Sequence, residues 1–456
     1  MKDFFKKIGK PMFYQLPRKI REQIRHPELL RLLQLHHEEE LLPYEVRRER
    51  QFIRLKEMIT YAYAHTRYYR NLFDEYGIVL SQIQDFTDVR KIPVLTKDIV
   101  RDHLEDMVAD CIPRHRRIYV TTGGSTGKPL GFYVSPEVDI RRLSFEWLHW
   151  NHMGYQFGDR SVFLRGRVLK DNWFSYEKEN DFLVLSTFKM REDILDQYLA
   201  KIEAYNPKVI QGYPSALEIL AKYMQKNGYA LRHKISAIST SSEILYPEQK
   251  KLIEEAFQAK VFDKYGNSEQ VGVIGACRDG IYHEFMEHSY LEYLHEDGSE
   301  AEAGDTGEII GTSFINDVVP FIRYKTGDMV NLSSSLTNRC TCGISSRLIE
   351  RIEGRWSGDV MVTKNGNLIS VTAMNTHSNI FDHAERIQYY QDTKGVVVLK
   401  IIKGKDYTDY DEIAIKEELY TKFQDQVDLR LEYVKEIPRT SRGKYKYLDQ
   451  RLKDIK

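Results

Sequence analysis

The chain has 456 residues, of which 42% are hydrophobic, so it is long enough for two or three domains with sizeable cores. Its 67 Lys and Arg residues balance 67 Asp and Glu residues, and this zero net charge excludes the basic surface of a typical nucleic-acid-binding protein. No apolar run reaches the roughly 18 residues of a membrane span, and the first residues show no secretory signal pattern. We therefore expect a cytoplasmic protein with no nucleic-acid partner.

Residues 1–75 predict a helical region that packs on the main domain, because leucines and other apolar residues recur at helical spacing. The beginning of this region is basic and also contains apolar residues; its cations are Lys2, Lys6, Lys7, Lys10, Arg18, Lys19, Arg21 and Arg25. Two interpretations remain open. We favour a solvated helix face over peripheral binding to an anionic membrane or a glycan-assembly partner.

Residues 76–355 predict a large α/β domain. Short apolar runs such as Ser161 to Leu164 and Lys260 to Phe262 alternate with helical patterns such as Ile194 to Tyr205, which favours largely parallel strands. Beyond residue 355 the pattern changes, and residues 356–456 predict a small α+β domain in which Val396 to Ile402 is a strand and Asp409 to Phe423 a helix.

A loop rich in glycine and hydroxyl groups follows the strand-like segment Arg117 to Val120. It reads Thr121-Thr122-Gly123-Gly124-Ser125-Thr126-Gly127-Lys128-Pro129. Glycines let backbone N–H groups approach a phosphate closely, and the hydroxyls and the lysine add donors and charge. The glycine spacing and Pro129 do not fit a Walker loop, so the sequence disfavours a P-loop ATPase.

This loop resembles the phosphate loop of the adenylate-forming enzymes, and three further motifs of that superfamily follow in the same order. They are Tyr265-Gly266-Asn267-Ser268-Glu269, Tyr324-Lys325-Thr326-Gly327-Asp328 and Pro438-Arg439-Thr440-Ser441-Arg442-Gly443-Lys444. The resemblance covers about residues 50–456 and is closest to the phenylacetate-CoA ligase branch and its CapK-type capsule-biosynthesis relatives. It implies a large nucleotide-binding domain, a hinge and a small mobile C-terminal lid.

The resemblance also implies a reaction and its cofactors. A carboxylic acid attacks the α-phosphate of ATP to give an acyl-adenylate and pyrophosphate, and a thiol, amine or hydroxyl then displaces AMP. The acceptor stays open between the thiol of CoA and an amine or sugar group in surface-polysaccharide assembly. The chain is thus expected to be an AMP-forming acid ligase that uses ATP and Mg²⁺.

By the same resemblance, specific residues receive roles. The β- and γ-phosphates would be surrounded by Thr122, Gly123, Gly124, Ser125, Thr126, Gly127 and Lys128. Tyr265 would lie against adenine, and the residues that follow it, Gly266, Asn267 and Ser268, would also bind the nucleotide. Glu269 would hold Mg²⁺, and Asp328 would accept the ribose hydroxyls. Arg355 would support the ribose and phosphates, and Lys444 would lie between the attacking carboxylate and the α-phosphate.

Two positions depart from the superfamily pattern. Ser357 stands where an Asp or Lys hinge is usual, with Asp359 two residues further on. The segment Ser239 to Glu243 stands where many relatives have a Gly/Ala-rich adenine loop. Lid rotation and backbone contacts to adenine remain compatible with both changes.

Three of the four cysteines form a second candidate site with one histidine. Cys277, His283, Cys340 and Cys342 make up a complete donor set for structural Zn²⁺. The C-x-C spacing is tighter than the usual C-x2-C, so ordinary reduced thiols are the alternative.

The sequence points only weakly to the acid. Trp147, Trp150, His152, Tyr213, Pro214, Arg165 and Arg167 fall in regions that line the substrate in relatives. If the arginines face the pocket, a sugar acid or amino acid is favoured over a fatty acid, because a buried cation next to an alkyl chain is costly. Two rival functions stay open: a catalytically silent scaffold of a glycan-assembly complex, and a module that binds nucleotide as a regulatory ligand.

Overall fold

The structure is a computed structural model of the 456-residue chain. It describes residue 21 and residues 24–452, with gaps at 123–129, 168, 170–171, 178–180, 336–337, 354–359, 367, 371–373, 375, 377 and 439–445. Most of the basic N-terminal segment, from Lys2 to Lys19, lies outside the described residues. Among the described helices, none combines the length and the apolar character that crossing a bilayer would require.

The N-terminal region is helical, as predicted. Its helices are α1 (Pro27–Glu40), α2 (Tyr44–His65), α3 (Arg67–Tyr76), the short α4 (Phe86–Val89) and α5 (Lys97–Met107). The bounds of α3 follow from local chemistry, because the Thr66 side chain caps its first turn and Gly77 ends it in a left-handed conformation. Leu33 of α1 packs against Phe145 and Leu148 of a later helix, which attaches the region to the rest of the molecule.

A hairpin and a long helix precede the main sheet. Strands β1 (Ile118–Thr121) and β2 (Gly131–Val134) pair antiparallel and are followed by α6 (Pro136–His152). The residues on either side of the glycine-rich segment are paired, since Thr122 N donates to Leu130 O at 2.9 Å.

The main sheet has twelve strands, and its first part is an α/β unit. The strands of this part are β3 (Ser161–Arg165), β4 (Phe174–Glu177), β5 (Phe182–Ser186), β6 (Val209–Gly212), β7 (Ala237–Ser241) and β8 (Lys260–Gly266). Helices α7 (Leu195–Tyr205), α8 (Pro214–Asn227) and α9 (Pro247–Phe257) connect them. The order β5-β3-β6-β7-β8 is parallel throughout, which confirms the predicted alternation of strands and helices.

The second part of the same sheet is antiparallel and was not predicted. Its strands are β9 (Val273–Ala276), β10 (Tyr282–Glu284), β11 (Ser289–Leu294), β12 (Thr306–Ser313), β13 (Tyr324–Leu332) and β14 (Leu348–Ile352). The expectation of largely parallel strands therefore holds for β5-β3-β6-β7-β8, whereas β4 pairs antiparallel with β5 and β9 pairs antiparallel with β8. The physical reason is the short connections: six residues join β8 to β9 and five join β9 to β10, too few for the crossover that a parallel pair needs.

The C-terminal region forms its own small sheet. The hairpin β15 (Val360–Val362) and β16 (Leu368–Ser370) precedes β17 (Ala384–Thr393), β18 (Val396–Lys403), α10 (Asp409–Phe423), β19 (Asp428–Tyr433) and β20 (Leu448–Gln450). Four of these strands pair in the order β19-β18-β17-β20. A capping box of Thr408 and Asp411 starts α10, whose bounds agree with the predicted helix. Leu399 and Leu419 are buried between sheet and helix.

Candidate active site

Two hydrogen bonds join two of the sequence motifs. Tyr265 donates its hydroxyl to Asp328 Oδ2 at 2.9 Å, and Tyr324 donates to Glu269 Oε1 at 2.7 Å. Each motif thus supplies one tyrosine and one carboxylate to the other. Both carboxylates are buried, and Lys97 Nζ lies 3.9 Å from Glu269. The structure therefore brings Tyr265, Glu269 and Asp328 together, although they are up to 63 positions apart.

The sheet positions these motifs. Tyr265 and Gly266 are the last residues of β8, and Tyr324 begins β13. Asn267 Oδ1 accepts from Val271 N at 3.0 Å, so this side chain shapes the turn between β8 and β9. The segment that was expected to bind nucleotide therefore emerges from the carboxyl end of a parallel strand, where open α/β sheets bind their ligands.

A cavity of about 1000 Å³ opens at this edge of the sheet. Its lining includes Thr121 from the base of the glycine-rich loop, Ser241 and Ser242 from the end of β7, and Gly266, Asn267 and Ser268. The apolar part of the cavity is an aromatic wall formed by Trp147, Trp150, Phe163 and Phe182, together with Val184. Residues of two of the sequence motifs and an aromatic wall therefore line the same cavity.

A mostly buried ion pair lines this cavity. Glu146 of α6 and Lys264 of β8 are in direct contact, and both side chains are mostly buried. Glu146 also accepts from Trp150 Nε1 at 3.2 Å and from Gln211 Nε2 at 3.4 Å. Burial alone would raise the pKa of Glu146, but the Lys264 ammonium outweighs it and lowers the pKa to about 2. The carboxylate therefore stays ionised over the physiological range.

Arg165, at the end of β3, is the other notable cation of the cavity. It stacks on the Phe163 ring at 4.2 Å and donates to Gln211 Oε1 at 2.8 Å. Burial lowers the pKa of this guanidinium, which still remains charged. The cavity thus presents a positive charge beside its aromatic wall.

The structure separates the predicted pocket residues into two groups. Trp147, Trp150, Tyr213, Arg165 and Arg167 line the cavity. His152 instead contacts Glu40 of α1 through Nε2 at 2.8 Å, and Pro214 is buried at the start of α8. The network of Glu146, Gln211 and Lys264 was not predicted from the sequence. Its only signal was the placement of Lys264 directly before Tyr265, at the carboxyl end of β8.

Several predicted site residues lie outside the described residues. They are Gly123, Gly124, Ser125, Thr126, Gly127, Lys128, Arg355, Ser357, Asp359 and Lys444. Thr122 is described: it is buried, and its Oγ1 accepts from Leu130 N at 3.1 Å. Its hydroxyl therefore supports the base of the glycine-rich loop in this conformation.

The four zinc-ligand candidates do converge. The ligand atoms of Cys277, His283, Cys340 and Cys342 all lie within 4.8 Å of one another. The cluster forms where the turn between β9 and β10 meets the loop between β13 and β14.

Comparisons with known proteins show which chains this one is similar to. The family model of the CapK C-terminal domain matches residues 361–450. The chain is 24% identical over 410 residues to Protein CapK of Staphylococcus aureus, covering 88% of each chain. It is 26% identical over 355 residues to the phenylacetate-coenzyme A ligase of Thermus thermophilus, covering 72% of this chain and 74% of that protein.

Solved structures give the same result for the fold. The structure of 2-hydroxyisobutyryl-CoA ligase with 2-HIB-AMP and CoA superposes with a TM-score of 0.57 at 19% identity, covering 91% of this chain and 92% of that chain. The expected resemblance is therefore confirmed: the relatives of this chain are CapK and the phenylacetate-CoA ligases, and its fold is that of the adenylate-forming acyl-CoA ligases.

Proposed function

We propose that this chain is an AMP-forming ligase that activates a carboxylic acid with ATP and transfers the acyl group to CoA. The observation that carries the proposal is the single cavity shared by Thr121, the segment Gly266 to Ser268 and the aromatic wall. An acid held against the wall can meet the α-phosphate of a nucleotide bound by these motifs, and such positioning provides much of the rate enhancement in a reaction between two anions.

The reaction proceeds in two displacements. A carboxylate oxygen attacks the α-phosphorus, the bond to the β-phosphate oxygen breaks, and pyrophosphate leaves. The CoA sulfur then attacks the acyl carbon, its proton is lost, and AMP leaves with the bonding electrons. Two relatives support the thiol as acceptor, since one is a phenylacetate-coenzyme A ligase and the other is a CoA ligase bound to an acyl-AMP and CoA.

Glu269 and Asp328 provide the carboxylates for the nucleotide. Glu269 would bind Mg²⁺, and its oxygen donors suit this hard cation. Tyr324 restrains that carboxylate, while the nearby Lys97 offsets part of its charge. Asp328 would accept the ribose hydroxyls, with Tyr265 holding one of its oxygens and its ring placed for adenine.

The remaining roles rest on the resemblance. The segment Gly123 to Lys128 would donate to the β- and γ-phosphates, and Arg355 would contact the ribose side. Lys444 would neutralise charge between the two reacting anions in the adenylation step.

The acid is proposed to carry a second anionic or hydroxyl-bearing group, as sugar acids and amino acids do. Three cations that line the cavity contact acids: Lys264 contacts Glu146, Arg167 contacts Glu177, and Arg142 lies 3.5 Å from Asp139. Arg165 instead donates to a neutral amide. A polar substituent on the acid would therefore gain an ionic partner, whereas an alkyl chain would desolvate the guanidinium.

A role in capsular or surface-polysaccharide biosynthesis is part of the proposal. It is supported by the match to the CapK C-terminal domain and by the similarity to Protein CapK along most of the chain. One alternative is that the acceptor is an amine or a sugar, which experiments on the acceptor must distinguish from CoA. Another is a peripheral contact of the basic N-terminal residues with a membrane or a glycan-assembly partner.

The test is pyrophosphate release with ATP and Mg²⁺ across a panel of carboxylic acids, with hydroxylamine as a general acceptor. The panel spans aryl acetates, fatty acids, amino acids and uronic acids. We expect release with a polar acid, and formation of a thioester when CoA replaces hydroxylamine. If no acid of the panel caused pyrophosphate release although ATP still bound, the ligase proposal would be contradicted. The scaffold or the regulatory nucleotide-binding module would then be favoured.

Arg165→Gln separates the acid specificity from the ligase activity. It should raise KM for the polar acid by about tenfold, the value of one charge-assisted hydrogen bond, and leave KM for ATP unchanged. Arg160→Gln is the matched control, because Arg160 donates to Tyr205 O instead of lining the cavity. An unchanged KM for the acid in Arg165→Gln would overturn the assigned substrate class and leave the ligase proposal intact.

A further inference from the structure

Two turns of the main sheet have the same local structure. Cys277-Arg278-Asp279-Gly280 follows β9, and Cys340-Thr341-Cys342-Gly343 lies between β13 and β14. In each turn the glycine N–H donates to the cysteine carbonyl at 3.0 Å, and the glycine has a positive φ of 81° or 101°. Each cysteine N–H also donates to a carbonyl four residues ahead, at 2.9 Å in the first turn and 3.1 Å in the second.

These turns direct backbone N–H groups at sulfur. Asp279 N lies 3.4 Å from Cys277 Sγ, Cys342 N lies 3.5 Å from Cys340 Sγ, and Ile344 N lies 3.4 Å from Cys342 Sγ. Donors that point at sulfur stabilise the thiolate relative to the thiol. Each of the three sulfurs in the cluster thus has a backbone N–H donor within 3.5 Å.

The histidine of the cluster offers a lone pair to the same point. Ser346 Oγ donates to Arg347 O at 3.0 Å, so its single proton is used and the oxygen accepts from His283 Nδ1, also at 3.0 Å. The proton of the neutral ring therefore resides on Nδ1. His283 Nε2 then presents its lone pair to Cys342 Sγ at 3.4 Å. This arrangement is the one by which proteins orient a metal-binding imidazole.

Two of the separations between ligand atoms match the geometry of one zinc ion. In a tetrahedral zinc site, bond lengths of about 2.3 Å to sulfur and 2.0–2.1 Å to nitrogen separate two sulfurs by about 3.8 Å and sulfur from nitrogen by about 3.6 Å. The observed separations are 3.8 Å between Cys277 Sγ and Cys340 Sγ and 3.4 Å between Cys342 Sγ and His283 Nε2. Cys277, His283 and Cys340 are at most 8% exposed, so water has little access to these ligands.

We infer that Cys277, His283, Cys340 and Cys342 bind one structural Zn²⁺. Four protein ligands leave no position for water or substrate, so the ion has a structural role. It would hold the loop at Cys340 against β10, whose His283 pairs with Leu348 of β14. The same loop reaches the N-terminal helices, because Ser345 O accepts from Arg47 Nη1 at 2.6 Å.

The test is the zinc content of the full chain purified without chelator and without immobilised metal. We expect about one equivalent per chain after desalting. Cys342→Ser, which changes the most exposed of the four ligands, should lower the zinc-to-protein ratio well below that of the wild type, because only three protein ligands remain. Cys111→Ser is the matched control, because Cys111 is the remaining cysteine and lies outside this cluster.

A second measurement keeps the inference testable if Cys342→Ser does not fold. Wild-type protein exchanged with Co²⁺ should show the intense sulfur-to-metal charge-transfer and tetrahedral d–d bands of a thiolate site. The inference is overturned if the folded wild-type chain retains no zinc and gives no such bands. It is also overturned if the Cys111→Ser variant loses the zinc while the Cys342→Ser variant keeps it. Neither result bears on pyrophosphate release, so the ligase proposal is judged separately.

Discussion

Two tyrosines restrain the two buried carboxylates of the proposed nucleotide site. Tyr265 restrains Asp328 and Tyr324 restrains Glu269, each through a hydrogen bond to an acid of the other motif. A restrained carboxylate needs less ordering when the nucleotide and its cation bind. The motif tyrosines therefore act on the acids as well as on any ligand they contact.

Tyr324→Phe should lower kcat/KM for adenylation by about 10- to 100-fold, since a hydrogen bond to a charged group contributes roughly 1.5–3 kcal/mol. The measurement is pyrophosphate release at several ATP and Mg²⁺ concentrations. Tyr410→Phe, at an exposed position of α10, is the control. Equal rates in both variants would show that Tyr324 does not position Glu269.

Asp263 makes stability depend on pH. This residue of β8 accepts from Thr240 Oγ1 at 2.7 Å and from Tyr282 Oη at 3.1 Å, but its complete burial raises the pKa to about 6. Because the folded pKa exceeds the ordinary value of 3.8, the contribution of this group to stability is full below pH 3.8 and is lost as the pH rises through 6.

Asp263→Asn should remove the loss of stability that ionisation of Asp263 causes as the pH rises. The free energy of unfolding of the variant should exceed that of the wild type by up to about 3 kcal/mol at pH 8, and the difference should shrink toward pH 4. Urea unfolding at a series of pH values measures it. If the free energy of unfolding of the wild type, measured relative to that of Asp263→Asn, rose between pH 4 and 6, the raised pKa of Asp263 would be contradicted.

At the scale of elements, a buried ion pair connects helix α2 to the antiparallel half of the sheet. Arg47 donates to both carboxylate oxygens of Glu287 at 2.9 and 2.7 Å, and both side chains are at most 3% exposed. Arg47 also donates to Ser345 O in the loop that holds Cys340 and Cys342. Three segments far apart in sequence thus meet at one guanidinium.

Arg47→Met should lower the free energy of unfolding by about 3–5 kcal/mol, because it leaves the Glu287 carboxylate buried without its cation. The double variant Arg47→Met/Glu287→Leu should recover most of this loss, since no buried charge remains. Denaturant unfolding of the two single variants and the double variant forms the required cycle. Additive losses would show that the pair is not coupled.

At the scale of the whole molecule, the C-terminal region contacts the hairpin that carries the glycine-rich loop. Tyr119 donates to Asp382 Oδ2 at 2.6 Å, and Thr121 donates to Ser378 O at 2.9 Å. The Tyr213 ring, which lines the cavity, also packs against the C-terminal core. The smaller region is therefore adjacent to the proposed site of chemistry, as a lid requires.

Lys444→Ala should leave ATP affinity nearly unchanged and lower the adenylation rate by orders of magnitude, because the proposed contact of Lys444 develops in the transition state. ATP binding by calorimetry and single-turnover pyrophosphate release measure the two quantities. Lys446→Ala, two positions along, is the control. Equal losses of affinity and rate would assign Lys444 to ground-state binding instead.

The sequence by itself determined the motifs that resemble those of the adenylate-forming enzymes, the α/β alternation and the set of three cysteines and one histidine that the fold brings together. These features are local: a glycine-rich loop, a Tyr-Gly-x-Ser-Glu segment or a capped helix such as Asp409–Phe423 is encoded by neighbouring residues. Cys277, His283, Cys340 and Cys342 could be proposed as a set because cysteines are few in this chain and zinc has well-defined ligand preferences.

Only the tertiary structure decided which distant residues meet. The antiparallel half of the sheet, the Glu146–Lys264 pair and the mutual tyrosine–carboxylate bonds depend on strand order. The burial of Arg47 against Glu287 likewise joins residues 240 positions apart. The physical reason is that charge and polarity along a sequence do not reveal burial, and burial determines whether an acid or a base is a solvated surface group or part of a site.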